Sequence, residues 1–158
     1  MANELKNKYY TKNSSSGSYQ DFATKFNGLR VLAVSGLDSK GKALNVYAAQ
    51  WMDSQTEDFM ITTNNGVIVR ENVDINVVFA ISRRYASSAI DEQTVFDSFI
   101  DYMTNTDVWV ASKYVGKQVH CVASDKFEPK KLSLKRGNSS YILGEITLHT
   151  LAKPTSYT

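Results

Sequence analysis

Apolar positions alternate with polar ones along most of the chain, the period-two pattern of strands that bury one face. The clearest case is the nine-residue run from Val73 to Ile81, where Val73, Ile75, Val77, Phe79 and Ile81 fall on one side. Runs at Leu29 to Ser35, Ala43 to Trp51, Phe59 to Thr63, Val67 to Glu71, Val108 to Tyr114, Gln118 to Ser124 and Ser140 to Leu151 predict further strands. A shorter one is expected at Leu132 to Leu134, inside an otherwise polar stretch from Asp125 to Asn138. Turn chemistry separates these runs. Asn64-Asn65-Gly66 is a hairpin signal, Gly36 to Gly41 reads as a turn, and Gly116-Lys117 marks a second hairpin.

One segment breaks the period. Between Asp91 and Thr104, Val95, Phe96, Phe99, Ile100 and Met103 recur at spacings of three and four and share one helical face. Asp91 suits the N-cap, Glu92 lies at the positive end of the helix dipole, and Asn105 can end the helix. Strands and helices do not alternate, so a parallel sheet is excluded. The pattern predicts a mainly β fold: an antiparallel sandwich or barrel of seven or eight strands, with one helix at 91–104 over an opening or flank.

A length of 158 residues predicts one domain, enough to bury roughly 70% of the unfolded surface. Residues 1–21 are rich in Asn, Ser and Lys and lack an apolar period, which predicts a polar arm, mobile on its own. Its Tyr9, Tyr10 and Tyr19 are anchors for a partner surface. Residues 22–151 are the expected core, and 152–158 a frayed end. The polar first 20 residues predict no signal peptide, and no run of 18 apolar residues predicts a membrane span. Cys121, the lone cysteine, excludes an internal disulfide framework and fits a reducing cytoplasm.

Reactive chemistry is sparse. His120 and Cys121 are neighbours in an expected strand, so their side chains point to opposite faces and form no dyad. A buried structural Cys121 beside a solvent-facing His120 is the better reading. His149 is isolated, and no spacing matches a zinc or calcium site. There is no phosphate-cradling glycine loop and no nucleophile elbow. The expectation is therefore a protein that is not an enzyme and carries no cofactor or metal.

Charge is more informative than its total of +2, which gives no whole-surface attraction for nucleic acid. Residues 85–112 hold five acidic residues (Asp91, Glu92, Asp97, Asp101, Asp107) and no Lys or Arg. Residues 125–136 hold five basic residues (Lys126, Lys130, Lys131, Lys135, Arg136) against Asp125 and Glu128. These are either two solvated surfaces of opposite sign or the two halves of a head-to-tail contact between copies. In the second reading Asp97 and Asp101 of one copy meet Lys130, Lys131, Lys135 and Arg136 of the next. Phe127 alone offers stacking beside the basic residues, too little for a single-strand nucleic-acid platform.

The layout of polar arm, hairpin-rich β core, inserted helix and long loops resembles a bacteriophage tail-tube subunit. The segments Phe96-Asp-Ser-Phe-Ile-Asp-Tyr-Met103 and Asn138-Ser-Ser-Tyr-Ile-Leu-Gly-Glu-Ile-Thr-Leu-His-Thr-Leu151 are similar to virion proteins of Bacteroidetes phages. The resemblance implies a homo-oligomeric ring, typically a hexamer, stacking into a channel for DNA, with DNA as non-specific cargo and other tail proteins as partners. It implies location in the virion tail after synthesis in the host bacterial cytoplasm, and makes residues 1–21 a locking arm. A tail-terminator or neck-ring protein of the same fold is the close alternative. A monomeric β-sandwich module contacting sugar or protein through Trp51, Trp109 and tyrosines is the distant one.

Overall fold

The computed structural model describes residues 8–41, 45–50, 57–61, 63–64, 67–68, 70–124, 127–136 and 139–157. In chain order the elements are β1 (Tyr9–Lys12), β2 (Gln20–Asp21), a one-turn helix α1 (Phe22–Lys25), β3 (Leu29–Ser35), β4 (Asn45–Gln50), β5 (Glu57–Ile61), β6 (Thr63–Asn64) and β7 (Val67–Ile68). Then follow β8 (Ile75–Ser82), a 3-10 turn (Arg83–Tyr85), α2 (Glu92–Asn105), β9 (Val108–Ser112), β10 (Lys117–Ala123), β11 (Lys130–Arg136), β12 (Ser139–Thr150) and β13 (Thr155–Ser156). The fold is mainly β with one substantial helix, as the periodicity predicts.

The chain divides into two compact units: Met1–Asp38 with Asp74–Thr158, and Ser39–Val73. The pairing of β3 with β8 explains the division. Ser35 lies opposite Asn76, so a short turn could join the two strands, yet the chain inserts a whole unit there.

In the first unit nine strands form one antiparallel sheet in the order β2-β1-β9-β10-β12-β8-β3, with β11 added on β12 and β13 on β10. The 12-residue β12 organises it. One of its edges runs along β8 from Tyr141 to Leu148. The other edge is divided between β11, opposite Ser139 to Glu145, and β10, opposite Leu148 to Thr150. The sheet is open and does not close into a barrel, because β2 and β3 end the order without pairing to each other.

Helix α2 packs on β8, β10 and β12. Phe96, Phe99 and Met103 are buried, and Val95 and Ile100 pack at the margin, so the expected stripe faces the core. Phe99 is fully buried, its ring 4.7 Å from Phe79, 5.5 Å from Phe26 and 6.1 Å from Phe22. Asp91 holds the N-cap position without capping a backbone N–H; its Oδ2 accepts a 2.7 Å hydrogen bond from Thr94 Oγ1. Helical geometry continues through Asn105 and stops at Thr106.

The chain ends correct the expectation of a mobile arm and a frayed tail. From residue 8 onward the N-terminal segment is part of the sheet: β1 pairs with β9 from Tyr9↔Ser112 to Lys12↔Trp109. Tyr9 and Thr11 are buried, and Thr11 Oγ1 is 3.0 Å from the Tyr102 hydroxyl. At the other end β13 pairs with β10 at Lys117↔Ser156 and Gln118↔Thr155. A four-residue strand shows only two inward positions, too few to register as a period in so polar a segment. Deleting residues 1–21 should therefore destabilise the fold by about 2 kcal/mol or more, the scale of losing one buried aromatic side chain. Thermal unfolding measures it, and an unchanged midpoint would restore the mobile-arm reading.

The second unit contains two ladders, β4 with β5 and β6 with β7. Asn64 pairs with Val67, the register required for the hairpin expected at Asn64-Asn65-Gly66. Arg70 Nη1 donates to the Gly41 carbonyl at 3.0 Å. A side chain at Gly41 would place its Cβ 1.6 Å from the Glu71 carbonyl oxygen, so only glycine fits there.

Candidate interaction surfaces

The basic segment read as mostly loop is a full strand, β11, paired residue for residue with β12 from Lys130↔Glu145 to Arg136↔Ser139. Alternation places Lys131 and Ser133 toward α2. Lys131 Nζ donates to Gln93 Oε1 and lies 4.7 Å from the Phe96 ring centroid. Gln93 Nε2 in turn donates to Asp97 Oδ1 at 2.9 Å. Lys131 and Asp97, expected to meet between copies, are thus linked within one chain through the neutral Gln93. Asp97, Asp101, Lys130 and Lys131 are all exposed. The side chains of Lys135 and Arg136 lie outside the described residues.

Glu92, part of the acidic run on sequence, is buried. Its Oε1 accepts a 2.6 Å hydrogen bond from Ser140 Oγ and lies 3.5 Å from Arg83 Nε. The Ser140 hydrogen bond, helped by Glu92's own backbone N–H, holds the carboxyl below its ordinary value of 4.5. A depressed folded-state pKa contributes stability above the unfolded value, and that stability fades as pH falls through the folded one. Ser140→Ala should cost about 1.5–3 kcal/mol near neutral pH, the range for a hydrogen bond to a charged group. The gap to wild type should narrow below about pH 4.5, as seen in acid-unfolding curves. A gap independent of pH would show that Glu92 is not responsible. Sequence could not find this pair, because its members are 48 residues apart.

A second surface crosses the sheet from β13 to β10. Lys113 Nζ sits 5.2 Å from the Tyr10 ring, Tyr10 is 5.7 Å from Tyr157, and Tyr157 is 5.2 Å from Tyr19. Lys12 Nζ bridges Tyr19 at 4.7 Å and Trp109 at 5.6 Å. Trp109 stacks on His120 at 3.9 Å with 2° between planes, and His120 Nε2 meets Asp107 Oδ2 at 2.6 Å. Strand register explains the row, since Lys12, Trp109 and His120 are direct neighbours across β1, β9 and β10. The Tyr19 hydroxyl donates to Gln118 Oε1 at 2.7 Å, and burial raises its pKa. Tyr9, Tyr10 and Tyr19 therefore have partners in their own chain. Trp109 is half-buried and engaged by Lys12 and His120 from the flanking strands; Trp51 lies outside the described residues.

Cys121 is fully buried, and burial pushes its thiol up to about 12. His120 points to the opposite face, as alternation requires, so the two form no dyad. His149 Nδ1 pairs with Asp74 Oδ1 at 2.6 Å. Among the described residues no three His, Cys, Asp or Glu side chains gather to hold a metal ion, and no helix is long and apolar enough to cross a membrane.

The third surface is the sheet portion β11-β12-β8-β3. The side of β11 away from α2 carries Leu132, 56% exposed, and Leu134, 43% exposed. They lie opposite Leu143 and Tyr141 of β12. At one end of this face Arg30 covers Tyr85 at 4.3 Å, and Tyr85 reaches Tyr141 at 6.2 Å. On the far strand Leu32 is 42% exposed at a bulge in β3. Among the described residues β11 pairs only with β12 and β3 only with β8, so each presents an open edge.

No protein-family model and no curated protein matches this sequence.

Proposed function

We propose that this chain is a structural, non-enzymatic subunit of a bacteriophage tail tube, joining copies of itself into a ring that stacks around a channel for DNA. The observation that carries the reading is the relative direction of the β3 and β11 edges. β3, β8, β12 and β11 alternate in direction, so β11 and β3 run antiparallel to each other. The β11 edge of one copy can therefore continue the antiparallel order on the β3 edge of the next, with no change of pattern. Exposed apolar edge strands are association sites, and ring closure removes them. This heterologous joint supports a ring in the virion tail, with DNA as passive cargo. The resemblance of the Phe96–Met103 and Asn138–Leu151 segments to phage virion proteins points the same way.

Negative-stain electron microscopy of concentrated protein tests the proposal. Stacked rings are expected. Single rings that never stack would favour the terminator or neck-ring alternative, and a 17.7 kDa monomer at every concentration would count against ring formation.

A further inference from the structure

The two ends of the chain meet on the sheet face away from α2. β1 and β13 pair with different strands, β9 and β10, so the ladders alone do not link them. Side chains do. The Tyr157 ring stands 5.7 Å from Tyr10 of β1 and 5.2 Å from Tyr19, which leads into β2. Gln118 of β10 holds both ends at once. Its Oε1 accepts from the Tyr19 hydroxyl at 2.7 Å, and its Nε2 donates to the Ser156 carbonyl at 2.8 Å. The backbone N–H of Tyr157 donates to the Gly116 carbonyl at 2.8 Å and seats the ring. Ala111 of β9, flanked in register by Tyr10 and Gln118, has no exposed surface.

We propose that residues 8–21 and 152–157 form one strap, clasped by the Tyr10–Tyr157–Tyr19 cluster, which opens as a unit and bares the β9 edge. Anchors on either side set its limits. Phe22, directly after β2, is 1% exposed and packs 6.1 Å from Phe99, so the chain is held in the core from there. At the other end Thr150 closes β12 in a buried position, and Leu151 N donates to the His120 carbonyl at 2.8 Å. Outside these anchors the attachments are slight. β2 and β13 have two residues each, and both residues of β13 are exposed. β1 sends only Tyr9 and Thr11 toward the core. Short ladders with little buried apolar surface are the first parts of a fold to open. Because the two ends share one ring cluster, the departure of either removes contacts from the other. Once β1 leaves, β9 keeps only β10 as a partner, and its other side becomes a free edge with unpaired backbone groups.

Native-state hydrogen exchange of the full-length chain in low urea, followed by NMR, tests the strap. The paired amides of Tyr9–Lys12 and the amide of Tyr157 should share one opening curve, with a common free energy and a common urea slope. That curve should lie below the one for Ile75–Ser82 in the centre of the sheet. Tyr157→Ala removes two aromatic contacts and should speed exchange across Tyr9–Lys12 by about ten-fold or more. Tyr10→Ala should in turn speed exchange at Tyr157. Tyr85→Ala, which removes aromatic packing beside β3, should leave both segments within about two-fold of wild type. Separate curves for the two ends, or acceleration confined to the substituted end, would overturn the proposal. A curve that coincides with global unfolding would overturn it as well, since the ends would then belong to the core.

Discussion

Phe99→Ala is expected to lower stability by about 3–5 kcal/mol, the usual cost of emptying a buried aromatic site. Its ring sits between Phe79 of the sheet and Phe22 and Phe26 of the α1 segment, so no single neighbour can collapse into the space. The loss should appear as an earlier midpoint in urea with little change in slope. A cost below about 1 kcal/mol would mean that α2 does not close the core, whatever its stripe suggests.

Gly144→Ala is expected to be damaging although it adds a single carbon. A Cβ there would lie 2.4 Å from Phe79 Cζ and under 3 Å from two further atoms of the same ring. Phe79 is itself fully buried, with Phe96 at 6.1 Å and Phe99 at 4.7 Å, so it has no free direction to move. Overpacking of this kind costs about 1–3 kcal/mol. Thermal unfolding measures it, and Phe79→Leu in the same chain should recover part of the loss by making room. Additive losses in the double variant would show that the strain at Gly144 lies elsewhere.

The elements with many repeats of their period were legible in sequence. Val73 to Ile81 and the helix stripe around Phe99 each offer five apolar positions; Ile75, Val77, Phe79 and Ile81 are buried in β8, which starts after Val73, and Phe96, Phe99 and Met103 are buried in α2 with Val95 and Ile100 at the margin. Short or charge-masked strands were legible only in part. β1 shows only Tyr9 and Thr11 as inward positions, and the expected strand at Leu132 to Leu134 extends in β11 through the flanking Lys130, Lys131, Lys135 and Arg136, whose charge reads as loop. Contacts that depend on distant segments were beyond any local pattern. Glu92 finds Ser140, Tyr19 finds Gln118, and Lys131 finds Gln93, each through packing between segments that only the assembled fold brings together. The same cause moved the tyrosines from a presumed partner surface into the protein's own sheet. The open edges of β3 and β11 belong to this class too, since an edge is a property of strand order.

Hydrogen exchange at low and high protein concentration tests the edge-joined ring most directly. In dilute solution the outward amides of Leu29–Ser35 and Lys130–Arg136 should exchange readily, because no strand among the described residues covers them. On assembly both segments should gain protection together, while the already paired amides of Ile75–Ser82 change little. Exchange at both edges that is identical at every concentration, or protection gained at only one of them, would contradict head-to-tail joining through β3 and β11.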